Sequence, residues 1–116
     1  MDRSQTEMRV GPQITPELFV ITVAFDLRDG DHDRFLGLVR TNAATSLALE
    51  GDCVRFDVLE PISSGQPHVL LYEVYTDRAA FDNHLTSRHF AEFDAATRDM
   101  VTRKAVVEFV ARGNPK

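Results

Sequence analysis

The sequence has no tryptophan, one cysteine and no surplus of positive charge: 13 Lys and Arg stand against 18 Asp and Glu, for a net charge of −5. Without a basic stripe, neither a nucleic-acid backbone nor an anionic membrane surface meets an electrostatic partner. A lone Cys53 cannot form a disulfide within the chain, so a reducing compartment is the simplest reading. Nothing near it in sequence would lower a thiol pKa, and it reads as a small, half-buried strand residue. The opening residues Met1 to Pro16 are polar, carry Asp2 and Glu7, and lack the apolar run of a secretory signal or membrane span. The expected location is the cytoplasm. Also missing are a phosphate-cradling glycine loop, a dinucleotide glycine fingerprint and a nucleophile elbow. What remains as partner is a small-molecule substrate or a second copy of the chain, with no nucleic acid and no membrane.

What is present is enough for one core: 116 residues, 43% of them apolar, fall within the usual size of a single domain. Residues 1–17, with Gly11, Pro12 and Pro16 and no periodicity, are expected to be a flexible arm, and residues 18–113 the domain. Leu18 to Asp26 is β-branched and aromatic and predicts a strand covered on both sides. A turn at Arg28 to Asp31 leads to a helix capped by Asp31, running to about Glu50, where Gly51 stops it. Two strands follow, Cys53 to Glu60 and His68 to Thr76, joined by a loop rich in Pro, Ser and Gly. Thr76 or Asp77 caps a short helix through Leu85, Ser87 restarts a helix to about Met100, and Lys104 to Ala111 closes as a strand.

The order β-α-β-β-α-β predicts an α+β, ferredoxin-like fold, with both helices on one face of a four-stranded antiparallel sheet. The other face is apolar too, since Phe19, Ile21, Val23 and Phe25 alternate with Val20, Thr22 and Ala24. A second copy packing its sheet against the first is the economical cover, which makes the expected assembly a homodimer.

A few polar residues fall on inward faces. On the first helix the buried arc is Phe35, Leu38, Val39, Ala43 and Leu49, with Asn42 near its middle. An amide there is either tied to the backbone or presented to a ligand, because left unpartnered it costs roughly 1–3 kcal/mol. Glu73 shares one side of its strand with Val69, Leu71 and Tyr75, so it is either in an ion pair with an arginine or chemically active. His84 lies on the inward face of the short helix with Ala80 and Phe81, and His89 lies one turn before Phe93. Each is either a satisfied core histidine or a base, for which an ordinary pKa near 6.5 suits. His84, His89 and Glu73 are of metal-ligand type, but their spacing speaks against a metal site, because the histidines are five apart across a helix break, not one turn apart. His32 and His68 read as solvated turn residues.

These residues resemble a family. Glu50-Gly51-Asp52-Cys53, then Leu71-Tyr72-Glu73-Val74-Tyr75, then Ala80-Phe81 with His84-Leu85, Ser87 and His89-Phe90 are similar in order and spacing to the antibiotic biosynthesis monooxygenase domain, over about Leu18 to Ala111. The resemblance implies a dimeric α+β barrel working without metal or flavin on a small phenol or quinol with dioxygen. It implies His84 or His89 as base, Glu73 as orienting group and Asn42 as donor to an oxyanion, with Tyr75, Phe81, Phe90 and Phe93 lining the cavity. Family members also include haem-degrading enzymes, which resemble one another in a pocket tryptophan this chain lacks, and an isomerase of a phosphorylated autoinducer sugar, similar over Arg55 to Leu59. Proton transfer in a small hydroxyketone is therefore the alternative activity, and a dimeric ligand-binding or stress-response domain without turnover is the non-enzymatic one.

Overall fold

The structure, a computed structural model, describes residues 17–113, so all of the expected arm except Glu17 lies outside it. Strand β1 (Phe19–Leu27) leads to helix α1 (His32–Leu49), then β2 (Cys53–Leu59) and β3 (Val69–Tyr75). Helices α2 (Arg78–Leu85) and α3 (Arg88–Thr97) follow, then a 3-10 turn (Arg98–Met100) and β4 (Val101–Val110). The sheet is antiparallel in the order β2-β3-β1-β4, the ferredoxin-like plan that the alternating strand and helix patterns predict.

Local chemistry explains most boundaries. Gly30 adopts φ +88° in the turn before α1, where a side chain would be strained. The α1 backbone starts as expected at Asp31, but through its carbonyl, which accepts from Phe35 N at 2.9 Å; its side chain makes no cap bond. Gly51 is not left-handed, and the helix ends because Glu50 turns extended. Asp77 Oδ1 accepts from Ala80 N at 2.8 Å and Ser87 Oγ from Phe90 N at 3.2 Å, the expected side-chain caps. Strand β4 begins at Val101, three residues before the expected Lys104, because a bulge at Asp26/Leu27 keeps the pairing with β1 going.

On the helix side of the sheet, Ile21, Val23, Phe25, Val69, Leu71 and Tyr75 join Phe35, Val39, Phe81 and Phe93 in one core. The helices pack over β2, β3 and β1 and leave the inner face of β4 less covered: Val106 and Val110 stay exposed there. The arc on α1 needs one correction. Leu49 is 72% exposed while Ser46 is fully buried, because a helical wheel fixes direction around the axis and not how far along it the sheet reaches. No residue of α1 beyond Ser46 is buried. His68 is a second correction: it is half-buried, and its Nδ1 accepts from Leu27 N at 2.9 Å, pinning the end of β1. Exposed His32 pairs with Glu60 at 2.6 Å.

Candidate active site

The turn between α2 and α3 builds one corner of the site. Ser87 Oγ donates to the His84 carbonyl at 2.7 Å while capping α3, so the chain reverses within a few residues. The same break that takes the histidines off the one-turn spacing of a zinc-binding helix brings the ring centroids of His84 and His89 to 5.8 Å. Both rings aim a nitrogen at one acceptor, Glu50. His84 Nδ1 lies 2.9 Å from Glu50 Oε2, and His89 Nε2 contacts the same oxygen. The side chains of His84, His89 and Glu50 are only 3%, 14% and 17% exposed. Burial lowers the His84 pKa below the ordinary imidazole value, with Glu50 opposing the shift.

Beside this corner lies a cavity of about 310 Å³ whose wall includes Asn42 from α1, Glu73 from β3 and His84 from α2. Phe81, Phe90 and Phe93 add aromatic surface, and Lys104, Val106 and Glu108 enter from the less covered face of β4, with Arg78 alongside. The size suits one small ligand. Glu73 is almost wholly buried, and that burial pushes its pKa from 4.5 to about 7, although the Tyr75 hydrogen bond and Lys104 pull it down. Tyr75 donates to Glu73 Oε1 at 2.6 Å, and burial together with Glu73 holds the phenol far above its usual range. Asn42 Oδ1 is buried and has no hydrogen-bond partner among the described residues, a costly state for an amide unless a ligand supplies a donor. A larger depression of about 880 Å³ between α1 and β2 is an open trough without such converging groups.

A family model for antibiotic biosynthesis monooxygenase matches residues 18–96. The chain belongs to this family. Solved structures agree on the fold. A candidate antibiotic biosynthesis monooxygenase from Nitrosomonas europaea is 20% identical, with a TM-score of 0.77 over 86% of this chain and 95% of that one. A Pseudomonas aeruginosa protein is 18% identical, with a TM-score of 0.73 over 87% and 99%. A Mycobacterium tuberculosis protein is 22% identical, with a TM-score of 0.70 over 85% and 97%. No curated protein matches the sequence.

Within this monooxygenase-family fold, six of the eight residues singled out from sequence share the cavity: Asn42, Glu73, His84, Phe81, Phe90 and Phe93. The other two stand apart. Tyr75 is fully buried behind Glu73 and holds that carboxyl, and His89 is turned toward Glu50. Among the described residues Glu73 has neither an arginine partner nor a hydrogen bond to an imidazole; the group that orients the histidines is Glu50, which in the sequence stands as a helix end and the first residue of the family-like Glu50-Gly51-Asp52-Cys53 run. A signal was available. An acid at a helix C-terminus opposes the helix dipole, so a glutamate there asks for a reason. Ser46, 3.5 Å from His84 Nδ1, gave none.

Proposed function

We propose that this chain is a cofactor-independent monooxygenase that oxidises a small phenol or quinol with dioxygen. The observation that carries the reading is the orientation of His84. With Nδ1 facing Glu50 at 2.9 Å, the ring proton belongs on Nδ1, and Nε2 keeps a lone pair for the cavity that His84 lines. A phenol bound there gives its hydroxyl proton to Nε2, and Glu50 stabilises the imidazolium that forms. The phenolate passes one electron to dioxygen, and the two radicals join in a carbon–oxygen bond. The peroxide takes up a proton, its O–O bond breaks as the ring carbon loses its hydrogen, and quinone and water leave. One oxygen atom ends in each product, and the substrate supplies every electron.

The remaining wall serves this chemistry. Phe81, Phe90 and Phe93 keep water from the radical pair, and a substrate hydroxyl can donate to the unpartnered Asn42 Oδ1. An amide turned end for end offers a donor to an oxyanion instead. Glu73, titrating near 7, gives or accepts a hydrogen bond at a second hydroxyl. The chain should also pair as a homodimer, because Val107 and Phe109 on the far face of the sheet stay about half exposed; light scattering should give twice the chain mass.

The cations Arg78 and Lys104 at the cavity favour a second reading, proton transfer in a small anionic hydroxyketone. Oxygen uptake separates the two. With a panel of quinols and polyphenols in an oxygen electrode, the wild type should consume oxygen, and His84→Ala should lower turnover by roughly two orders of magnitude, the contribution of one general base, while keeping a cooperative melt. Near-normal oxygen uptake by a folded His84→Ala variant would remove His84 as the base.

A further inference from the structure

Glu50 stands in an awkward place. It caps the C-terminal end of an 18-residue helix whose last turn holds no basic residue. The carbonyls left free there form the negative pole of the helix, so a carboxylate adds negative charge to negative. Among the described residues no lysine or arginine pairs with it, and its salt-bridge partners are two imidazoles alone. Neither imidazole is a fixed cation of the lysine or arginine kind. A mostly buried carboxylate at the negative end of a helix is an environment short of positive charge.

We propose that Glu50, His84 and His89 form a binding site for a divalent transition-metal ion of the zinc class. One carboxylate oxygen of Glu50 and one ring nitrogen each of His84 and His89 lie within 4.8 Å of one another, and His84 Nδ1 and His89 Nε2 are the nitrogens that face Glu50. Tetrahedral zinc with bonds of about 2.0–2.1 Å holds its donors roughly 3.3 Å apart, so small side-chain rotations close the set. Two imidazoles and one carboxylate bind zinc and other first-row ions, and three protein ligands leave a position open for water. The ion would supply the charge that the helix end and Glu50 lack.

Occupancy has a chemical consequence that rests on the proposed function. An ion on His84 Nδ1 displaces that proton, and the neutral ring then carries its hydrogen on Nε2, the nitrogen assigned as base. A filled site takes the base away, so the ion acts as an inhibitor rather than a cofactor.

Equilibrium dialysis of the full chain against zinc chloride, with metal quantified per chain, tests the site directly. One ion per chain is expected, with a rise in melting temperature from ligand linkage. Losing even an outer partner of a ligand costs roughly 10–100-fold in metal affinity, so Glu50→Gln and His89→Ala should each weaken binding at least that much. His32→Ala, which breaks the exposed His32–Glu60 pair, should leave it intact. Absence of bound zinc, or equal affinity in folded Glu50→Gln and His89→Ala variants, would overturn the proposal. Nitrogen-15 NMR should show the His84 proton moving from Nδ1 to Nε2 as zinc is added, and an unchanged tautomer in the zinc-bound chain would remove His84 from the ligand set. Undiminished oxygen uptake with the ion bound would overturn the base assignment instead, and leave the metal site standing.

Discussion

The two halves of α1 face the same sheet with opposite materials. The first half buries Phe35 and Val39, and the Phe35 ring packs against Phe25 and Phe93 at centroid distances of 4.9 and 5.7 Å. The second half buries Asn42 and Ser46 and ends at Glu50. Both halves turn inward by the same periodicity, so burial alone does not tell them apart. What differs is what the buried atoms touch: ring against ring in one half, and in the other an amide oxygen without a partner and a carboxylate with two imidazoles. The first arrangement gains stability from burial. The second holds polar groups where stability alone would favour apolar ones, which is how a site for chemistry reads in a fold.

The largest expected effect tests the apolar half. Phe35→Ala should cost about 3–5 kcal/mol, the usual loss for a fully buried aromatic whose cavity cannot collapse. Denaturant melts measure it. A loss below about 1 kcal/mol would mean that the aromatic cluster is not what holds α1 to the sheet, and the contrast between the halves would fail on its strong side.

The polar side should respond in the opposite sense, and with pH. Burial raises the Glu73 pKa from 4.5 to about 7. Below the unfolded value both states are protonated and the group is neutral to stability. Between 4.5 and about 7 the unfolded chain ionises while the folded one keeps its proton, so stability falls as pH rises. Above that window both are ionised, and a constant penalty of about 3 kcal/mol remains at 1.36 kcal/mol per pKa unit. Glu73→Gln keeps the shape and an acceptor for Tyr75 without the charge. It should melt like the parent near pH 4 and be more stable by up to about 3 kcal/mol near pH 8. Parallel stability curves for parent and variant across this range would show that Glu73 ionises in the fold as freely as in water.

Much of this was legible in the sequence because the signals were local. Alternation put Glu73 with Val69, Leu71 and Tyr75, helical spacing put His84 inward with Phe81, and both caps of the paired helices were written in Asp77 and Ser87. The partners were not legible, because partnership is a tertiary fact. Nothing in Glu50-Gly51-Asp52 says that the carboxylate reaches two histidines 34 and 39 residues away. Nor does Tyr75 announce that its hydroxyl serves Glu73 rather than the cavity. The same limit explains Leu49, because a helical wheel gives direction around the axis and not how far along it the sheet reaches.

Leu49 supplies the smallest expected effect and sharpens the comparison at its boundary. The wheel sets it on the buried arc with Phe35 and Val39, whereas the structure leaves it 72% exposed. Periodicity and packing therefore disagree about one residue. If the sealed arc ends at Ser46, Leu49→Gln removes little apolar contact and should change the unfolding free energy by no more than about 0.5 kcal/mol, the range of surface substitutions. If the arc is sealed to its end, the same change exchanges a buried leucine for a polar amide and should cost about 2 kcal/mol or more. Repeating the melt at several protein concentrations tells where such a loss arises. A cost that grows with concentration belongs to a contact between chains, since assembly stabilises by mass action, and one that does not belongs to the chain's own core, which would overturn the placement of Leu49 beyond the sheet.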